Sequence, residues 1–320
     1  MMFPRDRLWH RMGQMPRLAA RLAVWGAPRR SLVFGPLSLG DDLLCTAVLR
    51  EARRRHTPFA MFSNRPDLFA RNRDPVAVHP IDDHFLALLR WIGSPPVQPY
   101  YVSADLANSQ QDIFPPRHII AEMCRIAGLT GEVALRPYLT LTAAERDAAP
   151  HLPRQIAIHS SGLAAAIPFP TKEWGASRFA TVVSLLSDQF SLVQLGASRD
   201  PLLPGVALDL RGRTTLREAA AVQAASRCFI GLEGFLVHLA RAVDCPSVVI
   251  HGGRAPAGTF DYSANTNLYG RPTCSPCGLR DACPYSLECM TDITPGQVVA
   301  AVRELAEPND SPLSLDTVTL

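Results

Sequence analysis

The chain has 320 residues, 47% hydrophobic and 19% charged, with a net charge of +3 at neutral pH. Its length suits two domains of ordinary size better than one hydrophobic core. The composition is too apolar for disorder, the charge is too small to mark a nucleic-acid binder, and no apolar run approaches the roughly 20 residues that span a bilayer.

Residues 1–30 hold most of the basic excess, with Arg5, Arg7, Arg11, Arg17, Arg21, Arg29 and Arg30 against Asp6 alone. Leu8, Met12, Met15, Leu18, Leu22 and Trp25 recur at the spacing of one helix face, and Pro16 would kink or divide such a helix. Two readings stand side by side. One is a mobile arm or a helix packed on the body; the other is a basic amphipathic segment in peripheral contact with the inner membrane. The segment lacks the apolar core and cleavage site of a secretory signal, so a cytoplasmic location is expected.

Residues 31–34 form a short apolar strand. A glycine loop follows, and then a helical stretch from Leu43 that ends in arginines, which suit the negative end of a helix. Strand, loop and helix open an α/β sheet. Residues 59–62 read as the next strand. The Pro- and Asp-rich stretch 76–116 has no clear period; 117–129 reads as a helix and 136–153 as an interdomain connection.

A second unit begins with the strand 155–159 and the loop Ser160, Ser161, Gly162. Strands at 190–195, 227–231 and 246–250 alternate with helices at 216–225 and 235–243, a pattern that argues for a parallel sheet. The expected architecture is a basic arm (1–30), a first Rossmann-like domain (31–150) and a second (151–320), facing each other across a cleft.

Eight cysteines divide into two groups. Cys45, Cys124, Cys228 and Cys245 sit in apolar contexts and read as small core residues. Cys274, Cys277, Cys283 and Cys289 have the spacing C-x2-C-x5-C-x5-C in a Pro- and Gly-rich segment. Four such thiols in a cytosolic protein favour a structural zinc or iron site over disulfides; reduced, packed cysteines are the alternative.

Five segments in order resemble glycosyltransferase family 9, the heptosyltransferase family. They are Ser38 to Asp41 with Leu44, Thr46 and Arg50; Lys172-Glu-Trp174 with Phe179; 210–218; Gly231-Leu-Glu-Gly234 with His238; and the cysteine segment through Gln297. The resemblance implies a GT-B fold of two doubly wound Rossmann-like domains, the first binding acceptor and the second a nucleotide-sugar. It also implies inverting transfer of a sugar, a heptose from ADP-heptose, to a cell-surface glycan or lipopolysaccharide-type acceptor, with no catalytic metal.

Such a reaction needs a base for the acceptor hydroxyl and a way to bear charge on the departing diphosphate. The resemblance puts the base at Asp41; read alone, Asp41 or Asp42 is equally a helix cap. Ser160, Ser161, Gly162, Lys172 and the helix opening at Gly234 are the candidate diphosphate cradle. Glu233 stands where the family usually has Asp, which moves the carboxylate by roughly 1.5 Å. His238 is either a ligand contact or a packed histidine. Glu218 is either a ribose contact or, with Thr215, a capping box. Two rival functions remain: a non-catalytic nucleotide-sugar-binding or regulatory protein on the same fold, and a metal- or redox-responsive protein built on the cysteine cluster.

Overall fold

The structure is a computed structural model that describes residues 15–26, 28–34, 39–104, 110–307 and 313–320. Arg5, Arg7, Leu8, Arg11 and Met12 of the basic arm, and Ser38 of the first glycine loop, lie outside the described residues. The described part of the arm is a helix, α1 (Met15–Trp25). Leu18, Leu22 and Trp25 pack on Val33, Phe62, Phe85 and Leu89, and Trp25 stacks on His79 at 4.7 Å. The apolar stripe is therefore covered by the body here, as a packed helix requires. Among the described residues no helix is long and apolar enough to cross a membrane.

In the first lobe β1 (Ser31–Val33), β2 (Ala60–Phe62) and β3 (Val78–His79) form a parallel sheet in that order. Between β1 and β2 runs α2 (Leu39–Arg54), which buries Leu43, Leu44, Ala47, Val48 and Leu49. Asp41 and Asp42 stand in its first turn and Arg53 and Arg54 in its last, the charge order that the helix dipole favours. Gly40 lies inside this helix. A Cβ there would meet Phe235 and His238 at 3.8–4.0 Å, ordinary van der Waals contact, so the residue abuts the second lobe and makes no turn.

The sheet is covered by α3 (Pro66–Phe69) and α4 (Asp83–Trp91), the latter capped by Asp82, which accepts from Phe85 N. The Pro-rich stretch also holds a hairpin of β4 (Ser103–Ala104) and β5 (Asp112–Ile113). Beyond it come α5 (Ile119–Ile126) and β6 (Glu132–Ala134). The last strand, β13 (Thr317–Thr319), pairs antiparallel with β6. The end of the chain, which a division at residue 150 assigns to the second lobe, thus returns to the first.

A connector with a short helix, α6 (Ala143–Asp147), leads to the second lobe. Its strands β7 (Gln155–Ile158), β8 (Ser191–Gln194), β9 (Leu208–Asp209), β10 (Phe229–Leu232), β11 (Ser247–Ile250) and β12 (Thr266–Leu268) form one parallel sheet in the order β12-β11-β10-β7-β8-β9. That is the doubly wound Rossmann order, with its switch point between β7 and β10, and ligands bind at the carboxyl ends of the strands there.

One face of this sheet carries α7 (Ala176–Leu186), over a core of Ile156, Ile158, Trp174 and Phe179. The other face carries α8 (Leu216–Ala224) and α9 (Phe235–Ala242), and their core is continuous with that of the first lobe. After the cysteine segment, α10 (Glu288–Thr291) and α11 (Pro295–Leu305) close the lobe, and Thr294 and Gln297 form a capping box on α11.

Candidate active site

Helices α2 and α9 pack against each other, which sets the first turn of α2 beside the loop that opens α9. The space between the lobes there is a cavity of about 780 Å³ lined by Asp41, Tyr101, Lys172, Glu233, Gly234 and His238, among others. Asp41 accepts a hydrogen bond from the Tyr101 hydroxyl at 2.6 Å. Burial pushes its pKa up from 3.8 to about 7, against the pull of Tyr101 and the more distant Lys172. A carboxylate poised near neutrality is well matched to accepting a proton from a hydroxyl. Asp42 points elsewhere, accepting from the Ser63 hydroxyl at 2.6 Å and from Arg65 at 3.2 Å. It ties α2 to the end of β2.

The other wall belongs to the second lobe. Lys172, in a short 3-10 turn (Pro170–Lys172), forms an ion pair with Glu233 just beyond β10. Burial lowers Lys172, and Glu233 opposes that shift. Glu233 is itself held down at about 2: burial would raise it, but the neighbouring Lys172 charge and hydrogen bond outweigh that. Next to the pair, Gly234 caps α9, and a Cβ there would meet nothing within 4 Å. The first N–H groups of a helix have no intrahelical partner and favour an anion. A proton acceptor thus shares the cavity with an ion pair and the N–H-rich start of a helix at the switch point.

Residues 136–283 match the family model described as glycosyltransferase family 9 (heptosyltransferase). Over those residues the chain is similar to glycosyltransferase family 9. Solved structures share the fold at low identity. The family 9 glycosyl transferase from Veillonella parvula DSM 2008 is 14% identical, with 87% of this chain and 97% of that chain covered and a TM-score of 0.61. The E. coli ADP-heptose lps heptosyltransferase II is 16% identical, with 87% and 98% covered and a TM-score of 0.64. The iron-containing dodecameric glycosyltransferase TibC from enterotoxigenic E. coli H10407 is 18% identical, with 86% and 75% covered and a TM-score of 0.67. No curated protein sequence matches the chain.

The remaining residues expected at the site fall into two sets. His238 lines the cavity with Nδ1 2.7 Å from the Tyr262 hydroxyl, and burial lowers its pKa to about 4, so it is neutral at pH 7. Ser161 and Gly162 also line the cavity, but Gly162 N already donates to the Glu173 carboxylate at 2.7 Å. Ser160 is buried, its Oγ without a hydrogen-bond partner among the described residues. Glu218 forms a capping box with Thr215, and its carboxylate accepts from Thr215 N at 2.7 Å. Thr214 and Thr215, not Glu218, line the cavity.

The four cysteines Cys274, Cys277, Cys283 and Cys289 share one neighbourhood. Burial and the other thiols raise both Cys274 and Cys289. Yet among the described residues no group of three His, Cys, Asp or Glu is disposed to hold a metal ion, and all four cysteines are free thiols. The closed four-thiolate site expected from the spacing is not formed in this structure.

Several residues around the cavity carry no sequence signal. Tyr101 comes from the aperiodic Pro-rich stretch. Asp112 of the first lobe binds Arg254 and Arg280 of the second, and all three line the cavity.

Proposed function

We propose that the chain moves a sugar, a heptose, from a nucleotide-diphosphate donor to a hydroxyl of a cell-surface glycan or lipopolysaccharide-type acceptor in the cytoplasm. The observation that carries this reading is the carboxylate of Asp41, poised near neutrality and facing the Lys172–Glu233 pair at the Rossmann switch point. Asp41 takes the acceptor proton as the acceptor oxygen bonds to the anomeric carbon. The bond from that carbon to the diphosphate breaks, and its electron pair leaves with the diphosphate beside Lys172 and the α9 N-terminus. Attack opposite the leaving group inverts the anomeric centre.

ADP-heptose is the donor of first choice, because TibC is described in complex with ADP-D-beta-D-heptose and shares this fold. A thermal-shift screen of nucleotide sugars, followed by transfer assays with the donors that stabilise, tests the reading. Stabilisation by ADP-heptose with acceptor-dependent ADP release is the expected result. Donor binding without hydrolysis or transfer over a panel of acceptors would favour the regulatory alternative.

The cysteine segment enters this reading as a structural metal site on its spacing alone, with TibC described as iron-containing. Metal analysis of the purified chain and of Cys277→Ser decides it. Stoichiometric zinc or iron lost in the variant supports the site, and metal-free wild type refutes it.

A further inference from the structure

The hairpin β4–β5 of the first lobe grips the cysteine segment of the second. Asp112 N donates to Gly278 O at 2.9 Å, Arg280 N donates to Gln110 O at 3.0 Å, and the Gln111 side chain donates to Cys277 O at 2.7 Å. On the far side of the same segment, the Thr171 hydroxyl reaches Leu279 O at 2.8 Å and Arg280 O at 2.9 Å. Thr171 precedes Lys172. The segment is thus clamped between the first lobe and the residue next to the candidate phosphate lysine.

At the centre of the clamp the Asp112 carboxylate binds Arg254 through one oxygen and Arg280 through the other. Arg254 also donates from Nε to Leu279 O at 3.0 Å. Its guanidinium lies over the Phe169 ring at 4.6 Å, and Lys172 Nζ lies 4.8 Å from the centroid of that ring. Both arginines line the cavity, and Nη1 of each takes no part in these bonds. The amide of Gly162, which a phosphate oxygen could use, is engaged by Glu173. The cations on this wall, Lys172, Arg254 and Arg280, outnumber the carboxylates paired with them, Glu233 and Asp112.

We propose that Arg254 and Arg280 are diphosphate-binding residues of the cleft, and that Asp112, reaching across from the first lobe, is the positioning residue that holds them beside Lys172. The inference rests on reading the cleft as a nucleotide-sugar site. It adds a contribution of the first lobe to donor recognition: the donor's phosphates meet the two guanidinium groups only while the hairpin is docked. Planar guanidinium groups suit a diphosphate because each offers several N–H donors in a fixed geometry.

The test is calorimetric titration of the full chain with ADP and with AMP, which differ by the group the arginines are assigned to hold. Arg280→Gln is the primary variant, because Arg280 is one-third exposed whereas Arg254 is buried and Arg254→Gln can fail to fold. Arg280→Gln should weaken ADP binding by about tenfold or more, the scale of a charge-assisted hydrogen bond, and leave AMP binding nearly unchanged. Asp112→Asn should lower the ADP-over-AMP preference in the same direction, and Asp112→Glu should restore part of it. A folded Arg280→Gln protein with undiminished ADP preference overturns the proposal and leaves the nucleotide-sugar reading standing. A wild-type protein with no preference for ADP over AMP sinks both.

Discussion

Replacing Tyr101 with Phe removes one hydroxyl and keeps the ring. That hydroxyl donates to Asp41 Oδ1 at 2.6 Å and opposes the burial that raises Asp41 to about 7. A hydrogen bond to a charged group is worth roughly 1.5 kcal/mol, and one pKa unit corresponds to about 1.4 kcal/mol. Tyr101→Phe should therefore raise Asp41 by about one unit. At pH 7 the ionised fraction drops from about one-half to about one-tenth, and a reaction that needs the ionised base slows roughly fivefold. Near pH 9 both proteins hold the base ionised and their rates converge. The assay is the initial rate of nucleotide release at saturating donor and acceptor, measured from about pH 5 to about pH 9. A profile whose midpoint stays put, or a loss of equal size at every pH, would refute the assignment of Asp41 as a base tuned by Tyr101.

Stability should respond to the same carboxylate. Because the folded pKa lies above the unfolded value of 3.8, the folded state holds a proton that the unfolded state has lost, so stability falls as pH rises from about 4 to about 7. Asp41→Asn should remove that slope and stabilise the fold above pH 7, as urea unfolding at several pH values would register. Glu233 behaves oppositely: its contribution is full above the unfolded value of 4.5 and is lost as pH falls through about 2. Glu233→Gln leaves the half-buried Lys172 at the cavity wall without its carboxylate and should cost about 1–3 kcal/mol in urea unfolding at pH 7, while Glu233→Leu combined with Lys172→Met should recover much of the loss. Gly278→Ala should lower the thermal midpoint. Its φ is +69°, and a Cβ would stand 2.3 Å from the Asp112 carbonyl oxygen, a strain of about 1–3 kcal/mol.

The second lobe was legible because its information is periodic. Buried strands alternate with helices whose apolar positions recur at helical spacing, and the glycines after β7 and β10 mark where the chain turns at the sheet edge. Asp41 stands in the first turn of α2, Lys172 in the turn Pro170–Lys172 and Glu233 just beyond β10; the family resemblance, not periodicity, singled them out. Tyr101 and Asp112 lie in short elements between prolines, where no period survives. Arg254 and Asp112 meet across 142 residues and Arg280 and Asp112 across 168, a pairing decided by how the lobes dock and by nothing local. Glu218 shows the converse limit. A local capping box and a ribose contact use the same residue types, and the hydrogen bonds to Thr215 are what the fold displays. The return of β13 to the first lobe was hidden by its length of three residues.

The most direct test is a single-turnover measurement with ADP-heptose and an acceptor, comparing wild type with Asp41→Asn at equal donor occupancy. Transfer that falls by several orders of magnitude in a variant still binding the donor as tightly as wild type is the predicted result. A variant that transfers at a rate near wild type would remove Asp41 from the chemistry and contradict the account.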